Sequence, residues 1–229
     1  SDYGDPNGSL SLREAIAAYL RRARGLSVSA ENIIITNGSV QAMHILASLY
    51  LGKNTSFIFE DPGFPLARQV FSMTGANMYL CPVDEDGLVT DTLSSAPKNT
   101  RLVYVTPSHQ FPTGGRLSLR RRRELVDWAN KKNVLIIEDD YDGEYRYDVP
   151  PLEPLAAVAP NTVVYCGTFS KTMFPGLRVG FAVAALPIVD AMAQYRTVSE
   201  YAPNELIQRA LCKFAKTSSH RRTFKTRSR

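Results

Sequence analysis

Short apolar runs that end in polar, glycine-rich or aromatic clusters, spaced apart by helix-length segments, constrain this chain more than any other feature. Ile33-Ile34-Ile35-Thr36 leads into Asn37-Gly38-Ser39, and the run over 56–60 leads into Asp61-Pro62-Gly63-Phe64. The run over 101–106 leads into Pro107-Ser108-His109, that over 134–138 into Asp139-Asp140-Tyr141, and that over 162–166 into Gly167-Thr168-Phe169-Ser170-Lys171. Such short, continuously apolar runs fit parallel strands buried on both faces. Further strands are predicted over 77–81 and 177–183, with a polar excursion over 84–99 and a Pro-rich connection over 149–160. Between the strands the period changes: Leu12, Ile16, Ala17 and Leu20 recur at helical spacing over 9–24, closed by Gly25, and helices follow over 40–51, 66–74 and 118–132. The alternation predicts an α/β fold, three-layer α/β/α with a mainly parallel sheet. Ligands of such sheets lie outside the carboxyl ends of the strands, so the clusters above are the residues to examine for chemistry.

Composition excludes several classes. With 229 residues, 44% of them hydrophobic, the chain is long enough for a substantial core and is neither disordered nor collagen-like. Cys81, Cys166 and Cys212 are odd in number, far apart and set in apolar strings, as buried reduced thiols are. The net charge of +5 suggests a nucleic-acid partner until its location is considered: Arg221, Arg222, Lys225, Arg227 and Arg229 fall in the last ten residues, and without them 22 basic residues face 22 acidic ones. A neutral body predicts no direct nucleic-acid binding by this chain. Arg116 and the run Arg120, Arg121, Arg122, Arg123 read as a solvated helix face. No apolar run reaches the roughly 20 residues of a membrane span, and Ser1-Asp2-Tyr3-Gly4-Asp5 does not resemble a targeting signal, so no membrane partner and a cytoplasmic location are expected.

Lys171 is the sharpest chemical candidate. Hydroxyls, backbone amides and the guanidinium of Arg178 surround its amine in sequence, and cationic neighbours with desolvation suppress an amine's charge enough for it to form a Schiff base. Thr168, Ser170 and Arg178 suit a phosphate, Arg178 through a forked contact. Gly38 and Ser39 open a helix directly after a strand, where free amides and the helix dipole favour an anion, although a simple turn with a cap has the same spelling. A carboxylate at the end of the 134–138 run needs a cationic partner: a protonated pyridine nitrogen would serve, and a divalent cation is the rival. Phe64 offers either a flat stacking face or a core side chain.

Together these strings resemble the fold type I pyridoxal phosphate enzymes, specifically the class I/II aminotransferases, and most closely the aminotransferase-like domain of MocR-type regulators of the GntR superfamily. The matching motifs are Tyr3-Gly4-Asp5-Pro6-x-Gly8 with Leu12-Arg13, Ile35-Thr36-Asn37-Gly38-Ser39, Glu60-Asp61-Pro62-Gly63-Phe64, Thr106 through Gly114, Glu138-Asp139-Asp140-Tyr141-Asp142, and Gly167 through Arg178. The resemblance implies pyridoxal 5′-phosphate as cofactor, Lys171 as the Schiff-base lysine and proton shuttle, Asp139 as partner of the pyridine nitrogen, and Tyr141 as hydroxyl donor to the phenolic oxygen. It implies Phe64 stacking on the ring, and Gly38, Ser39, Thr168, Ser170 and Arg178 around the phosphate, with Val40 at a position where relatives often carry a polar side chain. Tyr3 resembles the tyrosine that reaches the phosphate of a neighbouring subunit, which implies a homodimer; Arg68 is a candidate for a substrate carboxylate, and His109 for a polar role nearby. Many aminotransferases carry Asn where this chain has Phe111, a substitution typical of the regulator branch.

The resemblance divides the chain into an N-terminal helical segment over 1–30, a cofactor-binding large domain over 31–215 and a basic tail over 216–229 expected to be disordered. It makes the chain look like a fragment, with the C-terminal small domain largely missing and DNA reached only through a winged helix it lacks. Two activities are consistent with these residues: transamination between an amino acid and a 2-oxo acid, or sensing of an amino acid or amine effector. A degenerate fragment that binds the cofactor weakly without turnover is the third reading.

Overall fold

The computed structural model describes residues 4–142, 152–169 and 178–219. Among these, eight strands form one sheet: β1 (Ile33–Thr36), β2 (Ser56–Asp61), β3 (Asn77–Asp84), β4 (Gly87–Leu88), β5 (Thr100–Val105), β6 (Leu135–Asp140), β7 (Val163–Thr168) and β8 (Gly180–Val183), in the spatial order β1-β8-β7-β6-β5-β2-β3-β4. The centre, from β3 through β2, β5 and β6 to β7, is parallel, while β8 runs antiparallel to both β7 and β1 and β4 closes a hairpin with β3.

Side-chain alternation sorts each strand's residues onto two faces. Ile33, Ile35, Ile58, Val103 and Ile136 pack on one face with α1 (Leu10–Arg24), α4 (Leu119–Lys132), α5 (Leu155–Val158) and α7 (Glu205–Ser219). Ile34, Phe57, Phe59, Leu102, Ile137 and Val164 pack on the other with α2 (Ser39–Tyr50), α3 (Pro65–Ser72) and α6 (Leu186–Ser199). The result is the expected three-layer α/β/α arrangement with a predominantly parallel centre. Each fully buried Ile, Leu or Phe contributes about 1.5–3 kcal/mol, and both faces are lined by such residues.

The structure corrects several details. Strand β6 extends to Asp140, two residues past the predicted end, so Asp139 and Asp140 belong to the strand itself. The polar stretch after β3 contains β4 and a short 3-10 turn, Thr90–Ser95, rather than plain loop. Helices α5, α6 and α7 were not anticipated, and α7 continues past residue 215, where the tail was expected to begin. The arginine run is not a solvated face: Arg121 and Arg122 are buried. Arg121 pairs with Asp84, and Arg122 donates to the carbonyls of Leu117, Pro107 and Glu153. The three thiols are free and buried, as expected.

Candidate functional site

The strand order reverses between β2 and β5: from β2 the chain moves outward to β3, then crosses to β5 and proceeds through β6 to β7. A crevice therefore opens at the carboxyl ends of these strands. Because β8 is antiparallel, its amino end lies at that same edge, with Gly180 in register with Thr168 on one side and Thr36 on the other. This brings Arg178 to the residues after β1.

Gly38 lies at φ 81° and ψ 167°, a conformation reserved for glycine, and a Cβ there would stand 3.2 Å from an Arg178 guanidinium nitrogen. Gly180 is also obligatory: its Cβ would meet Gly38 backbone carbon at 2.8 Å. The loop is braced from behind. Thr36 Oγ1 donates to the Gly38 carbonyl at 2.9 Å, and the Asn37 amide donates to Gln41 Oε1 at 2.7 Å. Arg196 of α6, buried at 1% exposure, donates to the carbonyls of Pro6 and Ile35 and to that same Gln41 oxygen. Ser39 and Val40 begin α2, half-buried, with Val40 packed on the second core face.

At the centre of the crevice stand two consecutive aspartates in different electrostatic settings. Asp140 faces α1: its Oδ2 lies 2.6 Å from an Arg24 guanidinium nitrogen and accepts the Tyr165 hydroxyl at 2.5 Å. Asp139 faces the α2 and α3 layer and accepts the Tyr104 hydroxyl at 2.7 Å on Oδ2. Its other oxygen, Oδ1, is buried and has no hydrogen-bond partner among the described residues. Burial pushes the Asp139 carboxyl up to about 7, with the Tyr104 hydrogen bond opposing that rise and the charges of Asp140, Glu60 and Asp142 adding to it.

Beside Asp139 runs an aromatic wall. Phe64, which caps the start of α3, meets Phe111 edge-on at 5.5 Å, Phe111 meets Tyr141 edge-on at 6.1 Å, and Tyr141 stacks with His109 at 6.0 Å. His109 Nδ1 pairs with Asp142 and lies 3.3 Å from the Tyr141 hydroxyl. The wall is held by Glu60, fully buried, whose Oε2 accepts the Thr106 hydroxyl at 2.6 Å, the Thr106 amide and the Gln110 side chain. Gln110 in turn donates to the carbonyls of Pro62 and Phe111, tying the loops after β2 and β5 together. Burial raises Glu60 to about 7 against these hydrogen bonds.

Gly38, Ser39, Phe64, His109, Asp139, Tyr141, Thr168 and Arg178 thus lie around one sheet edge. Lys171, Ser170 and Tyr3 lie outside the described residues. Arg68, on α3, is exposed. No group of His, Cys, Asp and Glu suited to a metal ion occurs among the described residues. Sequence reading does not single out Tyr104 or Arg196, and it includes Gln41 and Gln110 in motifs without giving them a role. Tyr104 sits in an apolar strand and reads as core, while Arg196 and Gln41 are brought to the loop only by tertiary packing.

A reversing α/β sheet with a buried carboxylate that has no cation among the described residues, an aromatic wall and an arginine over a glycine turn defines an α/β domain of the cofactor-binding kind. Comparison with known proteins agrees: residues 1–228 match the family Aminotransferase class I and II, and the chain belongs to that family. It is 37% identical over 215 residues to the HTH-type pyridoxine biosynthesis transcriptional regulator PdxR of Corynebacterium glutamicum, covering 94% of this chain and 47% of that protein. It is 34% identical over 209 residues to the probable rhizopine catabolism regulatory protein MocR of Rhizobium meliloti, covering 90% of this chain and 42% of that protein. The chain therefore spans about half the length of these relatives. Among solved structures, the Pyrococcus horikoshii kynurenine aminotransferase superposes with a TM-score of 0.88 at 27% identity, covering 95% of this chain and 55% of that one.

Family membership makes pyridoxal 5′-phosphate the cofactor of this site. The residues fit it. Among the described residues Asp139 Oδ1 has no partner and no cation pairs with that carboxylate, which suits a pyridinium, and Arg178 lies against the glycine turn where a phosphate is expected.

Proposed function

We propose that the chain is a pyridoxal 5′-phosphate-holding, aminotransferase-like domain that recognises an amino acid or amine and reports its presence within a MocR-type regulator. The observation that carries this reading is the asymmetry of the two buried aspartates: each keeps one oxygen without a hydrogen bond, but Asp140 is paired with Arg24, whereas Asp139 has no cation among the described residues. A buried carboxylate without a cation is costly, and a protonated ring nitrogen removes that cost. When bound, the cofactor supplies an electron sink that makes amine chemistry accessible.

The chain's own residues divide the remaining work. Asp139 keeps the ring nitrogen protonated, and Phe64 and the aromatic wall exclude water from one side of the ring. Tyr141, beside His109, donates its hydroxyl to the ring's phenolic oxygen. Gly38, Ser39, Thr168, Ser170 and Arg178 bind the phosphate, and Lys171 is the amine that holds the cofactor covalently and moves a proton at the substrate carbon. Tyr3 completes the phosphate site of a second copy, and Arg68 receives a substrate carboxylate. Sensing is favoured over turnover by Phe111: a side chain wedged between Phe64 and Tyr141 offers no polar contact where many aminotransferases place an amide. Similarity to two transcriptional regulators supports the same reading.

Borohydride treatment of the purified chain with pyridoxal 5′-phosphate should fix a label on Lys171, absent in Lys171→Ala; folded protein that takes no label overturns the assignment. Amino acids should then change the absorption of the loaded protein without releasing 2-oxo acid. Sustained oxo-acid production would make it a transaminase instead.

A further inference from the structure

We propose that Tyr104 is the positioning residue of this site: its hydroxyl holds one oxygen of Asp139 so that the other is left, ionised and oriented, for the cofactor's ring nitrogen. This rests on the cofactor reading above and adds to it a residue that does not touch the ring.

The geometry leaves the phenol little choice. On β5, Tyr104 is in register with Ile137 of β6, so its side chain emerges on the same face as that of Asp139 two residues further along. Its ring stacks on Phe59 at 5.0 Å with an interplanar angle of 8° and leans on Phe71 at 5.7 Å. With 1% exposure the ring is fixed by packing. Its hydroxyl donates to Asp139 Oδ2 at 2.7 Å. Burial pushes that hydroxyl well above 10, so the phenol remains a donor throughout the physiological range.

A phenylalanine would fill the same space among Phe57, Phe59 and Phe71, so the hydroxyl is not needed for packing. A buried hydroxyl is costly unless bonded, and its one acceptor among the described residues is a carboxylate that also lies buried. Donation to Oδ2 does two things. It fixes the rotation of the carboxylate, which points Oδ1 away from Tyr104, and it favours the ionised form against the burial of Asp139 and the nearby acids Asp140, Glu60 and Asp142. Asp140 provides the internal comparison: Tyr165 bonds it in the same way from β7, yet there Arg24 supplies the cation. The strand thus carries two tyrosine-held aspartates on opposite faces, one neutralised by Arg24 and one with no cation among the described residues.

The test compares the full-length wild type with Tyr104→Phe, Asp139→Ala and the double variant, plus a protein carrying 3,5-difluorotyrosine at position 104, whose more acidic phenol is a stronger donor. In cofactor-free protein, the Asp139 carboxyl is followed by carbon-detected NMR, assigned by its loss in Asp139→Ala. Tyr104→Phe should raise its titration midpoint and the difluoro protein should lower it. With pyridoxal 5′-phosphate as probe, Tyr104→Phe should weaken binding about tenfold, and by less than twofold in the Asp139→Ala background.

Midpoint shifts of the same sign for Phe and difluorotyrosine, or an equal binding loss in both backgrounds, would overturn the proposal. If Tyr104→Phe fails to fold, the difluoro protein, which keeps ring and hydroxyl, still decides by its sign. Wild type that binds no pyridoxal 5′-phosphate overturns the cofactor reading and the ring-nitrogen role together, whereas the NMR titration stands or falls without any ligand.

Discussion

Arg196 Nη2 donates at 2.9 Å to the same Gln41 oxygen that accepts the Asn37 amide, so one buried guanidinium on α6 braces the loop leading into α2. Burial lowers Arg196 to about 10, which leaves it charged at neutral pH. Arg196→Met would strand the Pro6 and Ile35 carbonyls as well as Gln41. Each buried group left unpaired costs about 1–3 kcal/mol. The expected outcome is a lowered melting temperature together with weaker pyridoxal 5′-phosphate binding, only partly restored by Arg196→Lys, whose ammonium lacks the fork.

Gly38→Ala addresses the proposed phosphate turn directly. The substitution forces a Cβ into a φ of 81° and to within 3.2 Å of the Arg178 guanidinium. Cofactor affinity should fall by at least tenfold while thermal stability declines by only about 1–2 kcal/mol. Equal affinity by equilibrium dialysis would remove Gly38 from the site.

The Asp139 carboxyl predicts a pH signature in cofactor-free protein. Its ordinary value is 3.8 and burial carries it to about 7. Below pH 4 it is protonated whether folded or unfolded. Between pH 4 and 7 the unfolded chain ionises while the folded one retains its proton, so stability falls as pH rises, and the loss is complete above about 7. Asp139→Asn escapes this, so its melting temperature should exceed that of wild type at pH 8 by several degrees, at about 2–4 °C per kcal/mol, and match it near pH 4. Saturating pyridoxal 5′-phosphate should shrink or reverse the gap. Glu138, also raised to about 7, contributes alike to both proteins, whereas Glu60, likewise raised, repels the Asp139 charge and so widens the gap above pH 7.

Arg24→Met tests the closed aspartate. It leaves Asp140 buried with Tyr165 but no cation, which should cost about 3–5 kcal/mol in urea unfolding. Adding Asp140→Asn should recover much of that loss. Independent, additive losses would mean that the two side chains do not depend on each other.

Much of this was legible before any coordinates. Ile33-Ile34-Ile35-Thr36 and Leu135-Ile136-Ile137 announce buried strands because consecutive apolar residues put apolar side chains on both faces, and Asn37-Gly38-Ser39 marks the turn beyond. The end of β6 was missed because Asp139 and Asp140 look like loop residues; they remain in the strand because Tyr104 and Tyr165 satisfy them from β5 and β7. Arg121 and Arg122 looked solvated for a similar reason, since charge runs carry no hint of the carbonyls that receive them. The bracing by Arg196 crosses from α6 to β1, a relation that no local pattern encodes.

The place of β1 in the sheet also sets an order of assembly. Its one strand partner among the described residues is β8, joined through Ile33 with Val183 and Thr36 with Gly180. At a synthesis rate of about 5–20 residues per second, the first strand would wait roughly 10–30 s for its neighbour to be made. Until then the apolar Ile33-Ile34-Ile35 edge has no partner, and Gly38 has no Arg178 against it. The edge that carries the proposed phosphate turn is therefore the last part of the sheet to close, and the nascent chain is most exposed to aggregation before it does.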